Sequence, residues 1–152
     1  MTAIVDTNIL VYLFDRGVPL KREQARELIG QGIAAQSIVL PYQALIEFVS
    51  VTTRARRGRP ALLTTEEAHR EVEQMMTELP VVYPTKETLK TALNGAALYQ
   101  MSWFDALIWA YAEENGFDPL WSEDFQDGRI YGSVMIENPF SGDGSRTATD
   151  HQ

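Results

Sequence analysis

The sequence predicts an α/β protein in which a mostly parallel sheet is covered by helices on both faces. Three observations carry this. Short apolar segments rich in β-branched residues (Ala3-Ile4-Val5, Ser37-Ile38-Val39-Leu40 and Val81-Val82-Tyr83) alternate with longer stretches, and strands alternating with helices pair in parallel. Those longer stretches carry apolar residues at helical spacing. Acidic residues follow the ends of two predicted strands, at the edge where open α/β sheets form their binding crevice.

Taken in order, Ala3-Ile4-Val5 reads as a buried strand stopping at Asp6, with Thr7 or Asn8 capping a helix that carries Ile9, Leu10, Leu13 and Phe14. Gly17 and Pro19 break that helix. A second runs from about Leu20 to Ile29, with Ala25, Leu28 and Ile29 apolar, and Gly30 and Gly32 ending it. Ser37–Leu40 is the second strand. Pro41 opens the next helix at a position where proline is tolerated; Ala44, Leu45, Phe48, Val49, Val51 and Thr52 share one arc, with Glu47 at its border. That helix frays around Gly58 and Pro60. Thr64 or Thr65 caps a peripheral helix to about Leu79, and Val81–Tyr83 is the third strand. Thr85 caps a helix through about Tyr99 with Leu89, Ala92, Leu93, Ala96 and Ala97 facing inward.

The stretch Met101-Ser-Trp-Phe-Asp-Ala-Leu-Ile-Trp-Ala-Tyr-Ala opens a helix that Gly116 ends as a C-terminal cap. At about 100° per residue, Ile108, Trp109 and Ala112 lie on the side of Asp105. The helix is apolar nearly all round and should be largely buried, with Trp103, Phe104 and Trp109 in the core. An ionised carboxylate there is costly unless paired, hydrogen-bonded or bound to a cation. Pro119-Leu120-Trp121-Ser122 is a short fourth strand, and Ser133–Ile136 a fifth. With no repeats and no linker, one domain spans residues 1–140, and residues 141–152, lacking large apolar side chains, form a disordered tail.

Composition narrows the chemistry. With no cysteine, disulfides, thiolate metal sites and cysteine nucleophiles are excluded; a reducing cytoplasm fits. No apolar run is long enough to span a membrane, and no secretory signal is expected. The two histidines, His69 and His151, lie in polar contexts, so metal chemistry must use oxygen ligands. A net charge of −8 does not by itself suit a nucleic-acid partner, but Arg54, Arg56, Arg57 and Arg59 fall close together. They form either a solvated helix end or a phosphate track.

Four acids stand out because each is tied to a buried element: Asp6 after the first strand, Glu47 at the edge of a core helix, Asp105, and Asp124 after the fourth strand. Asp127, in the same loop, is a fifth. Alone, Asp6 is also an ordinary helix cap, Glu47 an edge charge, and Asp124 and Asp127 turn residues. Gathered in one crevice without a cation they would repel, and at least one would stay protonated at neutral pH. With Mg²⁺ or Mn²⁺ the same group becomes a hard oxygen site. Such an ion lowers the pKa of a water it binds and stabilises charge on a phosphoryl group.

Val5-Asp6-Thr7-Asn8, a lone Glu47 after the second strand, Ser102-Trp103-Phe104-Asp105-Ala106-Leu107 and Ser122-Glu123-Asp124-Phe125-Gln126-Asp127-Gly128 resemble, in order and spacing, the PIN domains. The chain looks most like the VapC-type toxins of toxin–antitoxin pairs. The resemblance implies a three-layer α/β/α sandwich and a Mg²⁺- or Mn²⁺-dependent endoribonuclease. It implies an acidic site of Asp6, Glu47, Asp105 and Asp124, with Asp127 assisting as a metal ligand and Asn8 and Ser102 as polar supports. It also implies a homodimer, and a small antitoxin whose C-terminal segment enters the acidic groove. Arg54, Arg56, Arg57 and Arg59 would hold the RNA backbone. Either Asp124 or Asp127 faces the metal. The competing expectation is a non-catalytic module whose acids grip a basic partner. A phosphatase is disfavoured, since no Asp-x-Asp pair follows the first strand. Gly-x-Ser-x-Gly, Walker and dinucleotide-binding patterns are missing too.

Overall fold

A computed structural model describes residues 1–141. Six strands and six helices follow one another as β1 (Ala3–Val5), α1 (Thr7–Tyr12), α2 (Pro19–Ala35), β2 (Ile38–Pro41), α3 (Tyr42–Thr52), α4 (Thr65–Glu78), β3 (Val81–Val82), α5 (Lys86–Tyr99), α6 (Trp103–Asn115), β4 (Leu120–Trp121), β5 (Ile130–Tyr131) and β6 (Val134–Glu137). They form one sheet in the order β3-β2-β1-β4-β6-β5. Every pairing is parallel except β5 with β6.

Alternation along the strands divides the core into two layers. Ala3, Val5, Ile38 and Leu40 face α1 to α4, where they meet Ile9, Leu10, Ala44, Leu45 and Phe48. Ile4, Val39 and Leu120 face the other way, onto Ala92 of α5 and Ala106, Ile108 and Trp109 of α6. The result is the expected three-layer α/β/α sandwich. The chain winds outward from β1 to β2 and β3, then crosses back to place β4 on the other side of β1. The carboxyl ends of β1 and β4 thus flank a topological switch point, the usual place for a crevice in such sheets.

Several local expectations are corrected. Asp6 itself, not Thr7 or Asn8, is the N-cap of α1, its side chain accepting the Thr7 N–H. The second helix does not stop at Gly30 and Gly32 but continues to Ala35 and ends on a left-handed Gln36. Gly32 is needed inside it, because a Cβ there would lie 2.7 Å from Ile38. The hairpin partner Ile130–Tyr131 is a strand that the sequence reading does not include. Leu89 and Leu93 do not face inward: they are 48% and 54% exposed. Ala92 is buried as expected, in line with Thr88 and Gly95, whereas Ala97 is exposed. The reason is close packing on α6, where a Cβ at Gly95 would fall 2.2 Å from Cζ3 of Trp109. Gly95→Ala is therefore expected to cost about 1–3 kcal/mol through overpacking, read as a lower midpoint in urea unfolding.

The first turn of α6 also departs from expectation. Trp109 is buried, but Trp103 is 39% and Phe104 64% exposed, and Asp105 is half-buried. The helix starts outside the sheet and enters the core only from Ala106 onward. The expected tail lies, Ser141 apart, outside the described residues. Among the described residues, no helix is long and apolar enough to cross a membrane.

Candidate active site

The cleft at the switch point has a volume of about 530 Å³, and Asp6, Glu47, Asp105 and Asp124 all line it. Four segments far apart in sequence deliver them. β1 ends in Asp6, whose buried carboxylate accepts the Thr7 N–H at 2.7 Å and the Ser122 hydroxyl at 2.6 Å. Thr7 in turn donates its hydroxyl to Glu47 Oε2 at 2.6 Å, and Gln43, one turn earlier on α3, donates to Glu47 Oε1 at 2.7 Å. Asp124 follows β4. Its N–H donates to Ser122 Oγ at 3.1 Å, and Asn8 Nδ2 stands 3.2 and 3.3 Å from its two carboxylate oxygens. Ser102 caps α6, its Oγ accepting the Asp105 N–H at 3.3 Å. Asn8 therefore orients an acid directly, whereas Ser102 acts on the start of the helix that carries one.

Three supports went unassigned in the sequence: Thr7, Gln43 and Ser122. Thr7 and Ser122 sit inside the two strand-end motifs, adjacent to Asp6 and two residues before Asp124. A hydroxyl next to a strand-end acid was the available signal. Gln43 lies four residues before Glu47, a spacing that brings side chains together on a helix.

Asp127 is placed elsewhere. It does not line the cleft; its carboxylate accepts the Asn138 N–H at 2.8 Å and the Ser141 hydroxyl at 2.9 Å. Glu123 also turns away, binding Lys21 at 3.0 Å and the Tyr12 hydroxyl. The four arginines of the 54–59 segment separate. Arg54 lines the acidic cleft and donates to Ser50 Oγ at 2.9 Å. Arg56 pairs with Asp15 at 3.7 Å and forms a small antiparallel bridge with Arg59. Arg57 is exposed on that turn.

The cleft holds four acids and one guanidinium, that of Arg54. Among the described residues, none of Asp6, Glu47, Asp105 or Asp124 forms an ion pair with lysine or arginine. Burial pushes the Asp6 carboxyl up to about 7; the Ser122 and Thr7 hydrogen bonds pull it down, and the Asp124 and Asp105 charges push it further up. Burial also raises Asp124, with Asp105, Glu123 and Glu47 adding repulsion.

These groups suit a hard divalent cation. The donors are all oxygen, the charges repel one another, and the one base-free buried acid among them lacks a counter-charge. Among the described residues no three acids are already drawn together tightly enough to hold an ion. Asp6 is buried, Asp105 half-buried and Asp124 exposed, so the cleft's carboxylates run from the core outward to solvent.

A parallel sheet with a carboxylate-lined cleft at its switch point defines an acidic-cleft α/β protein. Residues 3–128 match the family model of the PIN domain. The chain belongs to that family. Solved structures share the fold at low identity. DNA-bound VapBC from Salmonella typhimurium is 18% identical, with 91% of this chain and 98% of that one covered and a TM-score of 0.67. VapBC2 from Rickettsia felis, bound to a promoter DNA fragment, is 12% identical over the same shares, also at 0.67. Mycobacterium tuberculosis VapC20, described as a toxin that cleaves the sarcin–ricin loop, is 18% identical over 81% of this chain and 90% of that one, at 0.57. No curated protein matches by sequence.

Proposed function

We propose that this chain is a metal-dependent endoribonuclease, the toxin of a toxin–antitoxin pair. The observation that carries the reading is the gathering of Asp6, Asp105 and Asp124 in one cleft, with no lysine or arginine paired to them among the described residues. Membership of the PIN family supports it, as does the fold shared with a toxin described as cleaving the sarcin–ricin loop.

In this reading Asp6, Asp105 and Asp124 hold Mg²⁺ or Mn²⁺. Asp127 is left to a structural part by its bonds to Asn138 and Ser141. When bound, the ion lowers the pKa of a water and offsets charge gathering on the phosphoryl oxygens. Glu47 orients the attacking water and takes its proton. Each of its oxygens already accepts one hydrogen bond, from Thr7 or from Gln43, and each keeps a further lone pair for the water. Asn8 steers Asp124, and Ser102 fixes the turn bearing Asp105. Hydrolysis consumes one water per phosphodiester and leaves a phosphate monoester and a free hydroxyl. Arg54 at the rim, with Arg56, Arg57 and Arg59 beyond it, would hold the RNA backbone.

A cognate small antitoxin and a homodimer belong to the same reading. The exposed Leu89 and Leu93 on α5 support an interface there, and the exposed Ile46 and Phe104 at the cleft rim offer an apolar grip for an antitoxin segment.

The test is incubation of a labelled structured RNA with the protein in Mn²⁺ or in EDTA, beside a panel of small phosphate esters. Cleavage of RNA alone, and only with the metal, is expected; RNA left intact with every divalent ion would overturn the reading. Metal should also stabilise the fold. At one hundred times its dissociation constant an ion adds about 2.7 kcal/mol, which is a rise in Tm of roughly 5–10 °C for a chain of this size. A flat melting temperature across a Mn²⁺ titration at pH 8 would count against the assembled site.

A further inference from the structure

A second concavity, of about 900 Å³, lies beyond the acidic cleft, and five arginines line it: Arg16, Arg22, Arg26, Arg56 and Arg70. That is a local excess of positive charge in a chain of net charge −8. Three acids share the lining, Asp15, Glu67 and Glu71, and two of them are already engaged. Asp15 accepts the Gly17 N–H at 2.9 Å and pairs with Arg56. Glu67 accepts the Thr64 N–H at 3.0 Å as part of the cap of α4.

The arginines are less fully engaged. Among the described residues Arg16, Arg26 and Arg70 make no side-chain hydrogen bond or ion pair, and Arg56 Nε is buried without a partner. Arg22 donates through Nε to the Leu13 carbonyl at 3.3 Å, and Arg56 keeps its pairing with Asp15. Guanidinium groups present planar forks of donors that match phosphate oxygens.

Two elements join this cleft to the acidic one. α1 has Thr7 and Asn8 in the acidic cleft at one end and leads to Phe14, Asp15, Arg16 and Gly17 in the basic cleft at the other. Its six residues span about 9 Å. On the other side, Arg54 lines the acidic cleft and Arg56, two residues later, lines the basic one. A strand with one phosphodiester at the carboxylates thus has further phosphates leading toward the arginines.

We propose that the Arg16–Arg22–Arg26–Arg56–Arg70 cleft binds the phosphate backbone of RNA at a distance from the bond that is cut. This rests on the nuclease reading for the choice of polyanion. An acidic protein with carboxylates at its reaction site repels RNA there, and affinity for RNA comes mainly from phosphate contacts. The cleft supplies them where the catalytic site does not.

The test is fluorescence anisotropy of a labelled single-stranded RNA with the full chain in EDTA, so that binding is read without cleavage. Arg26→Gln combined with Arg70→Gln removes two exposed guanidinium groups that make no side-chain hydrogen bond or ion pair among the described residues. Arg16→Gln with Arg70→Gln is a second pair, and Lys90→Gln on α5, across the sheet, is the control. Each pair is expected to weaken RNA binding roughly tenfold and to lower the slope of log affinity against log salt by about 1.4, for two single-strand phosphate contacts. The control should change neither. In Mn²⁺ the pairs should raise KM for RNA and leave kcat as it is. Unchanged affinity and salt slope in both pairs would overturn the proposal, whether or not the protein cuts RNA. A labelled polyglutamate that binds the wild type, and is lost in the pairs while RNA is retained, would overturn it too and assign the cleft to an acidic protein segment. Loss of RNA binding in the pairs with no cleavage by wild type under any metal would keep this site and discard the nuclease reading.

Discussion

Asp105→Asn is expected to lower metal-dependent RNA cleavage by at least about a hundredfold, the scale on which removal of one electrostatic stabiliser acts, while the fold survives. Asp105 is half-buried, and its carboxylate accepts no hydrogen bond among the described residues. Its charge pushes up the carboxyl groups of both Asp6 and Asp124. The amide is nearly the same size and lacks that charge, so the metal-free variant should melt at or slightly above the wild-type temperature. Loss of a negative charge that stabilises the fold would do the opposite. The two readings together, activity by gel and stability by thermal melt, separate a chemical role from a structural one. Full activity in a well-folded variant would remove Asp105 from the site.

The second large effect is on the pH dependence of stability without metal. Folding raises the Asp6 carboxyl from 3.8 to about 7, chiefly by burial. The folded state therefore holds this proton over a range in which the unfolded chain has released it. Stability from this group is fully present below about pH 4, falls as pH rises through the interval, and is lost above about 7. Over the whole interval the loss is on the order of 4 kcal/mol. Other carboxylates titrate at the acid end of this window, so the difference between variants isolates the contribution. Asp6→Asn keeps both partners but reverses one bond: its amide oxygen can accept the Thr7 N–H, and its amide nitrogen can donate to Ser122 Oγ, which in the wild type donates to Asp6. It should equal the wild type near pH 4 and exceed it in unfolding free energy at pH 8, measured by urea titration. It should also fail to cleave RNA. Mn²⁺ should restore stability to the wild type at pH 8 and leave the variant unmoved. A variant less stable than wild type at pH 8 would contradict a burial-raised Asp6.

Much of this arrangement was legible in the residues, and the reasons are local. Ile4 and Val5 running into Asp6, and Leu120 and Trp121 followed by Ser122-Glu123-Asp124, mark strand ends whatever the rest of the chain does. Thr64 and Thr85 each sit where a helix needs a cap, and both cap one. What failed had a non-local cause. Gly32 reads as a stop, yet it is the one residue that fits beneath Ile38. Leu89 and Leu93 read as core, yet the α5 surface that packs is the one with Gly95, because Trp109 occupies the space a larger side chain would need. Phe104 reads as core because periodicity cannot tell that a helix starts before it reaches the sheet. At the site, the acids were identifiable from their attachment to buried elements. Which of Asp124 and Asp127 lines the acidic cleft was not, since it depends on which one meets Asn138 and Ser141 across the loop. The split of the arginines between two clefts depends on the turn that bridges Arg56 to Arg59, which nothing in the spacing announces.

The central claim is that Asp6, Asp105 and Asp124 together hold one divalent ion. Calorimetric titration of Mn²⁺ into the wild type, Asp6→Asn, Asp105→Asn and Asp127→Asn at pH 8 tests it most directly. The account predicts saturable binding to the wild type and to Asp127→Asn, and none to the other two. Binding that survives in Asp6→Asn and Asp105→Asn, or that is missing from the wild type, would contradict it.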